Sequence, residues 1–218
     1  MSLTLVLVEP AGPLNVGSVA RLCANFEIEQ LRLVAPRCDH LGEEARRMAV
    51  HGEYVLEQAQ LFPHLAAALA DCGRVVATSG RIETESLPLS DPGPAMRWLA
   101  ELAETAAPGR SAMAALVFGR EDRGLTNAEL LQASRVVRIG SSDAYPSLNL
   151  SHAVAICLHA LREGEGGADP VSPAAQSEPC NRGALEAALA DAETLLLQVG
   201  FLYPHTAEAR MAKLRALL

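Results

Sequence analysis

Lysine is nearly missing from this chain: Lys213 is the only one, and the other 17 of its 18 basic side chains are arginine. Acidic residues number 26, so the formal net charge is −8. That balance argues against a protein that coats nucleic acid through general positive charge, while a local arginine patch stays open. Arginine offers a flat fork matched to phosphate and carboxylate, and it is also what a GC-rich genome encodes. Aromatic residues make up only 4%, so the core has to rest on Leu, Val, Ile and Ala. Five cysteines (Cys23, Cys38, Cys72, Cys157 and Cys180) are an odd number with no CxxC pair. That speaks against a disulfide framework and against a zinc site, and no metal is expected. No apolar run reaches ~18 residues, so no membrane span is expected. The opening MSLTLVLVEP lacks a basic stretch ahead of its apolar residues and does not read as a signal peptide. The expectation is a reduced, cytoplasmic protein.

What is present is a chain of 218 residues, 50% hydrophobic and 20% charged, which excludes a mostly disordered protein. Apolar β-rich runs at Leu3–Val8, Leu31–Val34, Arg74–Thr78, Ala112–Phe118 and Val136–Ile139 read as strands. Between them, Asn15–Phe26, Gly42–Ala49, Leu61–Leu69, Ala95–Thr105, Thr126–Gln132 and Leu148–Leu161 read as helices. Thr126 with Glu129 three residues on is a capping-box signature. Continuous apolar strands alternating with helices predict an α/β fold, a parallel sheet with helices on both faces, over residues 1–162. Residues 163–183 are rich in Gly, Pro, Ser and acid and read as a linker. Residues 184–218 read as a helical extension, Ala184–Val199 and Ala207–Leu217. Two helices this short cannot bury their own apolar stripe, so they are expected to dock on the main domain or on a second subunit.

In such a sheet, ligands bind beyond the carboxyl ends of the strands. Four segments there have suggestive content. In EPAGPLNVGSVAR (9–21), Gly12 and Pro13 make a turn, Asn15 is a candidate helix cap, and Gly17 permits close backbone approach. Arg21 lies six residues beyond Asn15, so the two need not share a helical face. The segment is neither a GxGxxG fingerprint nor a P-loop, and an ordinary strand–turn–helix with a solvated Arg also fits. In ATSGR (77–81), the small residues Thr78, Ser79 and Gly80 let a ligand approach the backbone, though alone this is weak. In VFGREDRGLTNAEL (117–130), Gly119 and Gly124 bracket Arg120, Glu121, Asp122 and Arg123; a solvated turn is the plain alternative. In YPSLNLSHAV (145–154), Ser147 and Asn149 enter an apolar helix and could be mere caps, and His152 reads as structural or surface.

Taken together, NVGSVAR (15–21), FGREDRGL (118–125) and SLNLSHAV (147–154) resemble, in order and spacing, the three signature motifs of the SpoU, or TrmH-type, branch of the SPOUT RNA 2′-O-methyltransferases. The resemblance covers residues 1 to about 162. TSGR (78–81), LVFGREDRGLTNAEL and the tail LLLQVGFLYPHTAEARMAKLRALL are similar to its TrmJ subgroup, which acts on the pyrimidine at position 32 of the tRNA anticodon loop. One departure is Glu27, where members commonly have Gly after the first-motif helix. The resemblance implies a deep trefoil knot over about 112–162, contrary to the general rule against knots. It also implies S-adenosylmethionine as donor (S-adenosylhomocysteine as product), a tRNA partner, and a homodimer with the active site at the subunit interface.

The same resemblance assigns residues. Thr78, Ser79, Gly80, Gly119, Arg120, Ile139, Gly140, Ser147 and Leu148 would hold the cofactor, largely through backbone. Arg21 would be the catalytic residue, with Asn15 holding Arg21 or the ribose and Glu121 positioning Arg21 or ordering its loop. Ser147 and Asn149 would bound the cofactor and the reacting ribose. Arg21, Arg81 and Arg123 would meet the RNA. A sulfonium donor carries its own charge and needs no metal, and alignment can supply ~7–11 kcal/mol. A guanidinium has a pKa above ~12, which leaves two accounts of Arg21. A neighbour lowers its pKa so that it accepts the hydroxyl proton, or it stabilises the forming alkoxide while another group takes the proton; the second is the better chemistry. Neither half of the chain is basic, so RNA affinity is expected to be weak and strongly salt-dependent. Competing readings are a related enzyme for rRNA or another tRNA position, an RNA-binding module with a decayed site, and a nucleotide-binding Rossmann protein, the last without supporting motif.

Overall fold

The structure is a computed structural model that describes residues 2–80, 89–101, 113–142, 144–145, 147–164 and 180–215. Its centre is a seven-stranded sheet made of β1 (Ser2–Val8), β2 (Gln30–Val34), β3 (Gln60–Phe62), β4 (Cys72–Thr78), β5 (Leu89–Ser90), β6 (Met113–Phe118) and β7 (Arg135–Val137). The spatial order is β3-β2-β1-β6-β4-β7-β5, and every pairing is parallel. Side chains alternate between two covered faces, as period-two geometry requires. Leu5 and Leu7 of β1 join Leu116 and Phe118 of β6 in one core. Val6, Val8, Ala115 and Val117 point into the other. The first core is covered by α1 (Pro13–Asn25), α2 (Glu43–Ala49), α3 (Glu53–Glu57), α5 (Pro92–Ala100) and α7 (Leu150–Gly164). The second lies under α4 (Leu65–Leu69) and α6 (Asn127–Leu130). The α/β class with a parallel sheet is therefore as the sequence pattern predicts.

Several boundaries differ for physical reasons. The expected helix Leu61–Leu69 is split into β3 and α4. Phe62 precedes Pro63, which drives it out of the helical region, and Gln60–Phe62 pairs with β2 instead. His64 then caps α4 by accepting the Ala67 amide at 3.2 Å. Helix α1 starts two residues before Asn15: Gly12 is the cap residue and Pro13 fills the first helical position, where its missing N–H costs nothing. Gly17 does permit a close approach, but of α2. A Cβ there would lie 2.2 Å from the Ala45 carbonyl oxygen. The Thr126–Glu129 capping box is present. The end of the expected helix Ala95–Thr105 and most of the expected linker lie outside the described residues.

The tail forms α8 (Arg182–Gln198) and α9 (Pro204–Arg215) around a small cluster of Leu189, Leu202, Ala207 and Met211. Its start docks on the main domain. The Gly183 amide donates to the Ala70 carbonyl at 2.8 Å, and Arg182 Nε donates to the Gln132 carbonyl at 2.8 Å. Trp98, the only tryptophan, is flanked at the amino ends of β4 and β7 by the guanidinium carbons of Arg74 and Arg135, 4.6 and 4.4 Å from its ring centre. All five cysteines are free, and burial pushes the thiols of Cys23, Cys72 and Cys157 up to about 12. No helix among the described residues is long and apolar enough to cross a membrane.

The departure at Glu27 has a structural meaning. α1 ends in a two-bond turn: the Ile28 amide reaches the Cys23 carbonyl at 2.9 Å, and the Glu27 amide reaches that of Ala24 at 3.4 Å. This closure needs a left-handed residue, and Glu27 has φ 60°. Its exposed pair with Arg162, 3.5 Å away, returns little. Replacing Glu27 with Gly removes a Cβ penalty of ~1–2 kcal/mol, offset in part by glycine's extra unfolded freedom. Glu27→Gly is expected to raise stability by about 0.5–1 kcal/mol in urea unfolding; an unchanged or lower midpoint would contradict this account.

Candidate active site

Three loops meet at the carboxyl edge of the sheet, and one chain of hydrogen bonds joins them. Glu121, in the loop after β6, accepts the backbone amides of Ala11 and Gly12 at 3.1 and 3.0 Å from the loop after β1. Its Oε1 also accepts Asn15 Nδ2 at 3.1 Å. Asn15 Oδ1 accepts Asn149 Nδ2 at 3.0 Å. Asn149 Oδ1 in turn caps α7, taking the Ser151 amide at 2.9 Å and its hydroxyl at 2.8 Å. Asn149 is thus both a cap and a link, and Asn15 is no cap at all. Burial pushes the Glu121 carboxyl up, but the Ala11 amide, the Asn15 side chain and the Gly12 amide outweigh it and hold its pKa below the ordinary value. At neutral pH it is an acceptor whose two oxygens are already in use.

Arg120 is the buried member of the four-charge run. Its guanidinium grips Glu129 with two bonds of 2.9 Å and also donates to Glu9. Those carboxylates raise its already high pKa. Arg120 therefore ties α6 and the end of β1 to the loop, and its side chain is committed there. Around it the loop closes on itself: the Arg120 and Gly124 amides exchange bonds with each other's carbonyls at 3.3 and 2.9 Å. Gly119 allows this, because a Cβ there would lie 2.3 Å from the Gly124 carbonyl carbon. Gly124 has φ 70°, a left-handed conformation that glycine accepts without cost.

Beside this network is a cavity of about 620 Å³. Thr78, Ser79, Gly80, Gly119, Arg120, Ile139, Ser147 and Leu148 all line it, together with Glu121 and Arg123. Gly140 does not; it sits next to Ile139 with open space around it. Phe118, Val137 and Leu150 supply an apolar wall that the motif reading passed over. Their signal was only that of core residues at strand and helix ends. Thr78 is fixed by a 3.1 Å bond from its hydroxyl to the Val117 carbonyl. Arg21 is exposed on α1 beside Gly52, does not line this chain's cavity, and makes no hydrogen bond or ion pair among the described residues. Within this chain Asn15 bonds to Glu121 and to Asn149, and Glu121 orders its loop; neither bonds to the Arg21 of the same chain. Arg123 is exposed at the rim. Arg81 lies outside the described residues. Glu9 is the residue that the motif reading missed. A single acid after a strand is unremarkable in sequence, yet Glu9 faces Arg120, Arg37 and Arg123. Among the described residues, no group of His, Cys, Asp and Glu could hold a metal ion.

Two consequences are measurable. Glu9, Glu121 and Glu129 all have lowered pKa values. For Glu9 the Arg120 bond is the main cause; for Glu129 burial pushes upward, and its bonds to Arg120 and Thr126 together outweigh it. The stability they contribute is complete above the unfolded value of about 4.3 and is lost as pH falls through the lower folded values. Denaturant unfolding from pH 6 to pH 3 is expected to show that loss, with a shallower acid limb in Glu121→Gln; identical limbs would refute the assignment. Gly119→Ala is expected to cost about 1–3 kcal/mol, since backbone atoms must move to admit the methyl group. A Gly119→Ala protein as stable as the parent in the same titration would disprove the close approach.

Comparison with known proteins follows the same lines. The profile of the SpoU rRNA Methylase family matches residues 2–159. A tRNA (cytidine/uridine-2′-O-)-methyltransferase TrmJ of Klebsiella pneumoniae is 36% identical over 220 residues, covering 99% of this chain and 87% of the relative. A tRNA (cytidine-2′-O-)-methyltransferase TrmJ of Methanocaldococcus jannaschii is 37% identical over 163 residues, 73% of this chain and 66% of the relative. Among solved structures, TrmJ from Z. mobilis ZM4 superposes with a TM-score of 0.79 at 29% identity, over 98% of this chain and 88% of that one. With the profile spanning the sheet domain and its three motif loops, the chain belongs to the SpoU rRNA Methylase family.

Proposed function

We propose that this chain is an S-adenosylmethionine-dependent tRNA ribose 2′-O-methyltransferase acting on the pyrimidine at position 32 of the anticodon loop, as a cytoplasmic homodimer. The observation that carries the reading is the bonded line Glu121–Asn15–Asn149, which ties all three motifs together beside a cavity that Glu121 lines and the two asparagines do not. Family membership and the tRNA methyltransferase names of relatives over a third identical support the reaction and the RNA class. The resemblance supplies the rest: position 32, the dimer, and a trefoil knot formed by the chain around β6 and β7.

The cavity fits the donor in size and lining. Its ~620 Å³ lies within the ~300–1,000 Å³ of small-molecule sites. Phe118, Val137, Ile139 and Leu150 offer an apolar wall for a purine, and Thr78, Ser79 and the backbone around Gly119 offer polar partners for a zwitterionic end. When bound, S-adenosylmethionine supplies a methyl group already made electrophilic by its sulfonium. This chain's residues have the remaining tasks. Asn15 and Asn149 are fixed in orientation by their neighbours and border the place for the ribose. Glu121, ionised and fully engaged, holds the loops and is not free to take a proton. Ser147 bounds both donor and ribose. Arg21, which does not line its own chain's cavity, meets the ribose of the partner's site across the dimer. There its permanent charge stabilises the alkoxide as it forms. Arg81 and Arg123 meet RNA phosphates.

The test is methylation of an unmodified tRNA transcript, with the modified ribose mapped. Wild type is expected to label position 32, and Arg21→Ala to lose about 10²–10³-fold in kcat, the loss typical of removing one donor from a developing oxyanion. Its affinity for S-adenosylhomocysteine should hold. Label in rRNA or elsewhere in tRNA would refute the substrate, and full activity in Arg21→Ala would refute the role.

A further inference from the structure

We propose that Arg37 and Arg123 form a clamp at the rim of the cavity that takes one phosphodiester of the bound RNA, with Glu9 holding the pair open. The proposal rests on the reading above and adds a residue, Arg37, and a geometry to it. Among the described arginines with carboxylate partners, Arg32, Arg46, Arg120 and Arg215 are tightly engaged. Arg32 meets Asp71 at 2.6 and 2.8 Å, Arg120 meets Glu129 at 2.9 Å twice, and Arg215 meets Glu186 at 2.7 Å. These are the short distances of charge-assisted hydrogen bonds. Two others, Arg74 and Arg162, stand looser, at 3.6 and 3.5 Å from their carboxylates. Arg37 and Arg123 are as loose, but they converge on one acceptor. Their terminal nitrogens stand 3.7 and 3.5 Å from the same oxygen, Glu9 Oε2, too far for such bonds. Neither guanidinium donates a hydrogen bond to a described residue, so two forks of five N–H donors each remain to be satisfied.

Both side chains reach solvent, 44% exposed for Arg37 and 59% for Arg123. None of the other carboxylates nearby is paired with them among the described residues. Asp39 accepts the Leu41 amide at 3.0 Å. Glu121 is taken by Ala11, Gly12 and Asn15, and Glu129 by Arg120 and the Thr126 amide. Asp122 makes no ion pair with either arginine among the described residues. Glu9 itself is shared with Arg120, which donates to its other oxygen. Three arginines thus face one carboxylate, while the buried one already has Glu129. The two exposed members share one oxygen of Glu9 at 3.7 and 3.5 Å without hydrogen-bonding to it, which leaves their N–H donors open to the oxygens of an anion.

The location selects the anion. Arg123 lines the cavity, and the Arg37 amide donates at 2.9 Å to Pro10, next to the two amides that hold Glu121. The pair is therefore braced by the same loop that aligns Asn15. A ribose within an RNA strand that enters this site carries a phosphate on each side. One phosphate with two free oxygens suits two guanidinium forks aimed at a common point. In a chain of net charge −8, such a local arrangement is the means by which RNA can be held at all.

The experiment is equilibrium binding of an unmodified tRNA transcript across a KCl series, for wild type, Arg37→Gln, Arg123→Gln and the double variant. Each single change is expected to reduce the slope of log affinity against log salt by about 0.7–0.9, the amount that accompanies one lost phosphate contact. In turnover, the loss should fall on the KM for tRNA more than on kcat. Arg37→Gln, which does not line the cavity, should keep its affinity for S-adenosylhomocysteine. An unchanged slope in folded Arg37→Gln and Arg123→Gln proteins overturns the clamp, and so does an Arg37→Gln protein that loses S-adenosylhomocysteine along with RNA. The outcomes separate the two proposals. Wild type that binds the transcript with slopes that fall in the variants, yet modifies no ribose, leaves the clamp and removes the reaction. Normal methylation with unaltered slopes removes the clamp alone.

Discussion

The carboxylate of Glu121 joins what the chain order keeps far apart. It takes two backbone amides and one side-chain amide from a segment about 110 residues earlier, and that side chain reaches the head of α7. Without a carboxylate at that point, the Ala11 and Gly12 amides would lose their common acceptor, and Asn15 would keep only its bond from Asn149. An amide side chain is symmetric in shape and nearly so in packing. What orients it is an acceptor on one side and a donor on the other. Glu121 sets the direction for Asn15, Asn15 sets it for Asn149, and the cap of α7 completes the series. Pre-set polar groups of this kind are what a methyl transfer needs, since the protein contributes mostly alignment.

The second support is Arg120, and it shows how buried charge is made tolerable. Its pairing with Glu129 is bidentate, Glu129 is part of the capping box of α6, and Glu9 completes the set. Buried ions of this kind contribute little net stability, but removing one partner leaves the others stranded. The gain is in shape: a loop with two glycines and four charges is held in one conformation at the mouth of the cavity. Glu9 links that internal arrangement to the exposed arginines, so one residue touches both the buried scaffold and the surface.

Much of this was legible in the sequence, for identifiable reasons. The alternation Leu5, Val6, Leu7, Val8 between two apolar faces announces a covered parallel strand, and the five expected strands all occur. The motif loops were found because glycine and polar residues after an apolar run are unusual. The misses share a cause. Pro63 separates a strand from a helix in a stretch whose apolar spacing suits either. Asn15 looks like a cap because capping chemistry and long-range bonding use the same side chain. Among Arg120, Glu121, Asp122 and Arg123, nothing in the order says which one is buried. Arg21's place relative to the cavity depends on how helices and loops stack, and that is not a local property.

Trp98 carries a practical corollary. The only indole in the chain stands between two guanidinium groups at the amino ends of β4 and β7, while the cavity opens at their carboxyl ends. Its emission therefore reports on the assembly of the sheet at the end away from the pocket. A fluorescence melt of this protein reads that end of the scaffold.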